Sequence, residues 1–481
     1  MNNQISMSII KNANVYSKIL LTIGALNFVP LFVLFFYPGE DLFRYVLSFT
    51  LPGTLLCLSG FLCARLFPQK AETIGEYETS LQKGSLPVLF AWGVGILSGA
   101  LPFIIYGISV TESVFESTSG WTTTGITIFE DIESFPHIFL FHRAFLQYCG
   151  GLGLIFMLLL FAQGKQASLL FSAEGHNEKF TPSLKQTAHT IFAVYNIFLA
   201  LGIFLYVIFG MDLFDAVCHT MSAISTAGFS NKTEGLAFFD NPGVEYVTVL
   251  LMLLGSTSFS VITFLGRLQF KKVIQDIEVK FMLFLVVIPF ILWGFSRKNL
   301  LNIVSLFSTT GFADGNLYQA PAFEFVTIIL LMLIGGSVGS TSGGIKILRV
   351  YLLFRITKES IRRKVVSPSR VLPRNYSKVS GFRKIDENTV YDTIGFIVTF
   401  FAIIVIGTII LILTENCTAK AAFFEFVSAF TNTGISSGLT NINANFGTLI
   451  TIMVAMILGR LEMFIVFIGF YTLIVRKSQA K

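Results

Sequence analysis

Four short segments of this chain share one spacing of hydroxyl-bearing residues and glycine. Each reads serine, two residues, serine or threonine, threonine or asparagine, one residue, glycine. The first is Ser119-Gly-Trp-Thr122-Thr123-Thr124-Gly125 and the second Ser222-Ala-Ile-Ser225-Thr226-Ala227-Gly228. The third is Ser305-Leu-Phe-Ser308-Thr309-Thr310-Gly311 and the fourth Ser428-Ala-Phe-Thr431-Asn432-Thr433-Gly434. A bulky residue precedes each hydroxyl run (Trp121, Ile224, Phe307, Phe430), and an apolar one follows each glycine (Ile126, Phe229, Phe312, Ile435). One copy is a common turn; four copies, each in a polar connection between two apolar segments, are a pattern. Such segments suit the dehydration of a monovalent cation, because rings of backbone carbonyls replace its water without burying a fixed anion. Glycine permits the dihedrals that turn carbonyls toward an axis. The serine and threonine hydroxyls can add ligands or brace the loop from behind. The candidate cation ligands are therefore Thr122 to Gly125, Ser225 to Gly228, Ser308 to Gly311 and Thr431 to Gly434.

A second cluster is the run Gly335-Gly336-Ser337-Val-Gly339-Ser340-Thr341-Ser342-Gly343-Gly344, followed by Ile345 and Lys346. Five glycines in ten residues cannot hold a regular helix well. The run, together with Lys346, is a candidate gate, with close helix packing through small residues as the alternative. No Lys-Ser or Lys-Thr follows at the spacing of a phosphate loop. Arg460 lies midway along the last apolar stretch, where an ionised side chain is costly unless paired or hydrated, and it is a candidate pore-facing charge. Glu462 is too near along a helix to share its face, so the expected partner is a carbonyl or the glycine-rich run. Pinning the last repeat to its neighbours is the structural alternative. Lys346 and Arg349 are read as snorkelling to the interface. Glu112, Glu116, Asp212, Asp215 and Glu425 precede the loops, either concentrating cations at the mouth or standing as solvated loop charge. Catalytic chemistry has no foothold. The five cysteines form no C-x-x-C pair, no His/Cys/Asp/Glu group has zinc spacing, and no triad or nucleophile elbow is present. An enzyme is not expected, nor an organic cofactor.

The elements that position these residues follow from composition. Hydrophobic residues make up 53% of 481 positions and charged residues 13%, which points to the bilayer. Apolar stretches at 19–37, 45–66, 86–107, 138–163, 190–210, 244–266, 279–294, 325–354, 392–413 and 446–475 predict ten spans. The first, with no small-residue cleavage site after it, is read as a retained helix. Runs such as 111–121 and 213–224 are too short to span and suit half-membrane pore helices, whose C-terminal dipole points partial negative charge at an ion. The expected fold is an all-α membrane protein. Two leading transmembrane helices (1–84) precede four helix, re-entrant loop, helix repeats (85–186, 187–276, 277–385, 386–481) around one pseudo-fourfold pore. Lys and Arg accumulate in alternate loops, ten of them between Arg355 and Lys384, which places those loops and both termini in the cytoplasm. The net charge of +6 is thus a topology signal, and no nucleic-acid partner is expected.

The fourfold loop pattern, the two leading spans, the glycine-rich run 335–346 and Gly459-Arg460-Leu-Glu462 together resemble the Trk/Ktr/HKT superfamily of potassium transporters, and in particular its TrkH/TrkG branch. The resemblance covers essentially the whole chain. It implies a bacterial inner-membrane potassium uptake protein with a single filter, usually a homodimer, gated by a cytoplasmic ring of nucleotide-binding subunits. It implies that the glycine-rich run obstructs the pore beneath the filter and that Arg460 tunes permeation. Sodium-preferring relatives carry serine in the first loop, where this chain has Gly125, and Asn432 departs from the threonine of the other loops. The basic loop 355–385 is expected to dock the ring or anionic lipid. An alternating-access carrier coupling potassium to protons or sodium is the rival. Four similar loops against one broken helix favour the pore.

Overall fold

The computed structural model describes residues 14–39, 41–67, 80–153, 184–365 and 375–479. The chain divides into two compact units, one of Met1–Thr122, Thr127–Ile197 and Leu461–Lys481, the other of Thr123–Ile126 and Phe198–Arg460. Among the described residues five helices are long and apolar enough to cross a membrane, or up to seven if each bent pair is one span. Large apolar side chains such as Leu55, Leu58 and Leu62 lie on the surface, as a lipid-facing helix requires.

The first unit begins with α1 (Val15–Leu26), capped by Asn14, whose side chain accepts from Ser17 N. A 3-10 segment (Val29–Phe35) and α2 (Leu42–Leu66) follow. α1 and α2 approach through glycines: a Cβ on Gly24 would lie 3.0 Å from the Gly53 carbonyl oxygen. Then come α3 (Ser80–Tyr106), the short α4 (Val110–Trp121) and α5 (His137–Leu152). Phe49, Phe103 and Phe139 form the buried core beneath them. The unit is completed by the first half of α6 (Leu184–Ile208) and by α18 (Met463–Gln479).

The second unit runs from the rest of α6 through α7 (Leu213–Ile224), α8 (Pro242–Ser256), α9 (Phe259–Gly266), α10 (Phe270–Gln275) and α11 (Ile277–Trp293). It continues with α12 (Arg297–Ser308), α13 (Ala322–Ile334) and α14 (Ile347–Val365). An antiparallel hairpin, β1 (Asn375–Lys378) with β2 (Gly381–Lys384), leads into α15 (Glu387–Glu415), α16 (Ala419–Phe430) and α17 (Phe446–Arg460).

α4, α7, α12 and α16 are each 12 residues long. At about 1.5 Å per residue such a helix spans roughly half of a bilayer core. All four end within the repeated motif, beside its hydroxyl run. Several expected spans take a different form. The stretch 325–354 is interrupted after Ile334 by the glycine-rich run. The stretch 138–163 leaves the described residues after 153, as do Lys70, Lys165 and Lys179 of the basic loops and Arg370 and Arg374 of the loop before the hairpin.

The expectation of one broken helix also needs correction. α8 and α9 meet at a 109° bend around Thr257, and α17 ends at Arg460 before α18 begins. Neither break carries the glycine or proline run that marks the third repeat. The bend at Thr257 is stabilised from outside, because the backbone groups it frees are taken up by the glycine-rich run. Ser337 N donates to Ser256 O at 3.0 Å, Thr341 N to Gly255 O at 3.1 Å, and Phe259 N to Gly339 O at 3.1 Å. Irregular backbone is tolerated at membrane depth where protein satisfies it in this way.

Candidate functional site

The four motif loops have the same backbone. The residue two before each glycine is left-handed, with φ of 53° at Thr123, 50° at Thr226, 54° at Thr309 and 55° at Asn432. The glycines themselves have φ of 87°, 83°, 84° and 87° at Gly125, Gly228, Gly311 and Gly434. Asn432 thus occupies a position whose conformation asparagine accepts more readily than threonine. Its amide donates to Thr124 Oγ1 and to Met456 O, both at 2.9 Å, tying the fourth loop to the first and to α17.

The loops also close on one another. A Cβ on Gly125 would lie 2.0 Å from Ala227 O, one on Gly228 2.0 Å from Thr310 O, and one on Gly311 2.0 Å from Thr433 O. The cycle is completed by Gly434, whose Cβ would lie 1.9 Å from Thr124 O. Each glycine therefore sits on the carbonyl of the next loop, in the order first, second, third, fourth, first. No side chain fits at any of the four positions.

The hydroxyl question left open by the sequence resolves toward bracing at the motif's first hydroxyl position. Thr122 Oγ1 donates to Thr118 O at 2.7 Å, Ser225 Oγ to Met221 O at 2.7 Å, and Thr431 Oγ1 to Val427 O at 2.8 Å. Ser308 differs because α12 runs one residue further than the other short helices: its Oγ reaches Ser305 O, three residues back, at 3.2 Å, and it pairs with Thr310 Oγ1 at 2.7 Å as Thr431 Oγ1 does with Thr433 Oγ1 at 2.8 Å. In the last three loops the carbonyl of the leading serine accepts from the residue before the glycine. These bonds join Ala227 N to Ser222 O, Thr310 N to Ser305 O and Thr433 N to Ser428 O, at 3.0, 2.9 and 2.8 Å.

A set of tethers that the sequence reading missed lies nine residues before each glycine, on the short helix: Glu116, His219, Asn302 and Glu425. Each reaches the segment just beyond the glycine. Thr127 Oγ1 donates to Glu116 Oε2 at 3.0 Å, and His219 Nε2 pairs with Ser230 Oγ at 2.9 Å. Asn302 exchanges two bonds with the Asp314 backbone, at 2.9 and 3.1 Å. Glu425 accepts from Ser436 Oγ and Ser437 N, each at 2.7 Å. Their types differ, so no shared letter marks the position; only a count back from each glycine finds it. Glu116 and Glu425 are consequently neither mouth charges nor solvated loop charges. Both are fully buried, and Glu116 is paired with Arg143 at 2.6 Å. Asp215 is half-buried beside Lys232 at 3.5 Å, Asp212 is the exposed cap of α7, and Glu112 is half-buried in the first turn of α4.

The glycine-rich run folds back on itself and against the loops. Ile345 N and Lys346 N donate to Leu333 O and Ile334 O at 2.9 and 2.8 Å, so the end of α13 is closed by the start of α14. Gly335 and Gly344 have φ of 68° and 76°, and a Cβ on Gly335 would meet Gly343 O at 2.1 Å. Gly336 packs on Ser256, and Ser340 Oγ pairs with Ser342 Oγ at 2.8 Å. Thr341 Oγ1 lies 3.1 Å from Thr226 Oγ1 and donates to Gly255 O at 3.0 Å. Gly343 N donates to Thr309 Oγ1 at 2.7 Å, and a Cβ on Gly343 would lie 2.0 Å from Thr431 O. The run thus touches the second, third and fourth loops. Arg460 is the last residue of α17 rather than a mid-helix residue, and its Nη1 donates to Thr341 O at 2.7 Å. Lys346 and Arg349 do not snorkel: Lys346 Nζ turns back to the Ser342 carbonyl, and the Arg349 guanidinium lies 3.9 Å from the Phe396 ring centroid.

The sequence pattern of the TrkH family, described as a cation transport protein, matches residues 60–307 and 296–477. The chain belongs to the TrkH family. It is 29% identical over 471 residues to an uncharacterized cation transporter of Methanocaldococcus jannaschii, covering 96% of this chain and 95% of that one. It is 29% identical over 476 residues to the Trk system potassium uptake protein TrkG of Escherichia coli, covering 92% and 94%. The crystal structure of the potassium transporter TrkH from Vibrio parahaemolyticus superposes with a TM-score of 0.81 at 26% identity, over 95% of this chain and 98% of that one. As a TrkH-family chain the protein is a multi-pass, predominantly α-helical membrane transport protein, not an enzyme, and its repeats are the helix, re-entrant loop, helix units of that fold.

Proposed function

We propose that this chain takes up potassium across the bacterial inner membrane through a channel-like pore with one filter. The closed cycle of glycine on carbonyl carries the reading, because it brings four copies of one carbonyl-bearing backbone into a single ring. A ring of carbonyls matches a weakly held monovalent cation, and relatives such as TrkG are named as potassium uptake proteins. The ligands are the carbonyls of Thr122 to Gly125 and their equivalents. The glycine-rich run is the gate, held shut by Thr341, Gly343 and Arg460. A homodimer, with both termini in the cytoplasm and a nucleotide-binding ring docked on the basic loop, completes the reading. Arg362, Arg363 and Lys364 in the last turn of α14 are exposed, as docking requires. Their reversal to acidic residues is expected to abolish the response to nucleotide without altering selectivity.

The bend at Thr257 and the break after Arg460 support a second reading, the alternating-access carrier, since such carriers use paired broken helices. Recording from the purified protein in a planar bilayer decides between them. Resolved unitary potassium currents are expected; transport confined to carrier turnover, with no unitary events under open-gate conditions, would exclude the pore.

A further inference from the structure

Lys378 is one of the ten basic residues between Arg355 and Lys384, yet it is 5% exposed. It ends β1, and the turn beyond it carries Val379 into an apolar cluster with Val261 and Val273. Lys378 and Val379, at the entry to the hairpin turn, are therefore buried, while Ser380 and Gly381–Lys384 are exposed and Phe382 is 82% exposed. Two carboxylates receive the buried pair. Asp276 Oδ2 accepts from Val379 N at 2.7 Å, and its Oδ1 caps α11 through Glu278 N at 2.8 Å. Glu278 Oε2 holds Lys378 Nζ at 2.5 Å. The other oxygen of Glu278 leaves the hairpin altogether: Oε1 accepts from Val338 N at 2.8 Å, inside the glycine-rich run.

Val338 lies between the two run residues already bonded to the bend in α8 and α9. Ser337 N is held by Ser256 O, Val338 N by Glu278 and Gly339 O by Phe259 N. One carboxylate therefore joins the outer hairpin to the middle of the run. A carboxylate at such a site is tolerated while it is paired and hydrogen-bonded, and is costly once either partner leaves.

We infer that Glu278 is a positioning residue that latches the intramembrane run shut, and that the buried hairpin pair Lys378–Val379 is the lever that releases it. With Lys378 in place, Glu278 presents Oε1 to Val338. Drawing the hairpin outward strands the carboxylate, which must move or be hydrated, and Val338 loses its anchor. The exposed strand β2 is where a cytoplasmic partner gains purchase. Hairpin and run are two sites whose states bias each other through one side chain. The inference rests on reading the run as the gate.

The test is potassium flux into proteoliposomes of the purified protein without any partner, read beside the potassium-to-sodium ratio. Lys378→Met is expected to raise flux roughly tenfold, the scale set by losing one charge-assisted hydrogen bond, with the ratio unchanged. Glu278→Gln keeps an acceptor for Val338 and is expected to give a smaller rise. It also decides the matter if Lys378→Met does not accumulate in the membrane. The exchanged pair, Glu278→Lys with Lys378→Glu, separates a latch from a structural ion pair. It restores the pairing but offers Val338 N no acceptor, so flux is expected to stay raised; return to wild-type flux would overturn the latch. Deleting 337–343 is the control for the gate reading. If that deletion raises flux while both single variants match wild type, the latch is wrong and the gate stands. If the deletion raises nothing, both fall.

Discussion

The motif loops and the glycine-rich run are built from the same residues, glycine, serine and threonine, yet their hydrogen bonds differ in kind. The loops brace mostly within their own repeat, helix end to loop and loop to the short helix behind it, and join their neighbours by contact around a closed cycle. The run occurs once, and most of its bonds reach other elements: the bend at Thr257, Thr309, Glu278 and Arg460. A segment supported by itself keeps its shape when its surroundings shift. A segment supported by others can be let go. The first arrangement suits selection of an ion and the second suits control of its passage.

The comparison breaks most severely if a side chain is tolerated in the cycle. Gly228→Ser puts a Cβ 2.0 Å from Thr310 O on a backbone at φ 83°. Serine at this position, or at Gly125, Gly311 or Gly434, is expected to lower the potassium-to-sodium uptake ratio by about a hundredfold or abolish transport, since real Cβ atoms do not approach so closely and left-handed φ adds further strain. A ratio unchanged in all four variants would end the assignment of these loops as a filter. Thr341→Val tests the other side. It removes a hydroxyl bonded to Gly255 O at 3.0 Å and Ile224 O at 3.2 Å. Flux is expected to rise about tenfold at constant selectivity, on the scale of one or two buried hydrogen bonds. A changed ratio would mean that run and loops are not separable.

Smaller effects sharpen the contrast. Asn432→Thr removes the amide that reaches Thr124 and Met456 and places a β-branched residue at φ 55°. A drop of about threefold to tenfold in the potassium-to-sodium ratio is expected, below that of the glycines because the carbonyl cycle is left intact. Measuring tracer uptake of both ions checks it. Ser437→Ala takes one hydroxyl, bonded at 2.8 Å, from the set that holds Glu425. About 1 kcal/mol of stability is expected to be lost, read as a lower unfolding midpoint in detergent, with no change in selectivity.

Much of this was legible because the same backbone demand recurs. A left-handed residue, a carbonyl and a glycine are needed four times, and only a few residue types meet the demand, so the pattern shows through a single chain. The glycine-rich run was legible for the opposite reason, as an interruption of an apolar stretch. The tethers were not, because Glu116, His219, Asn302 and Glu425 meet one need with three different side chains. Nor was the bend at Thr257, whose sequence Ser256-Thr257-Ser258 is ordinary and whose freed groups are satisfied by residues some eighty positions later. Lys378 reads as one basic residue among ten. Only its packing shows that it faces Glu278 rather than solvent.

The bond between Asn432 and Thr124 joins positions 308 residues apart, and it lies where the cycle of loops closes. Contacts so distant along a chain form late, after the segments between them are in place. During synthesis the first three repeats enter the bilayer with Gly311 facing no partner loop and Thr124 supporting none. The cycle of loops is therefore finished only when the final repeat arrives. A chain that lacks the C-terminal repeat has no closed cycle, so under the proposed function its truncation is expected to remove the whole filter rather than a quarter of it.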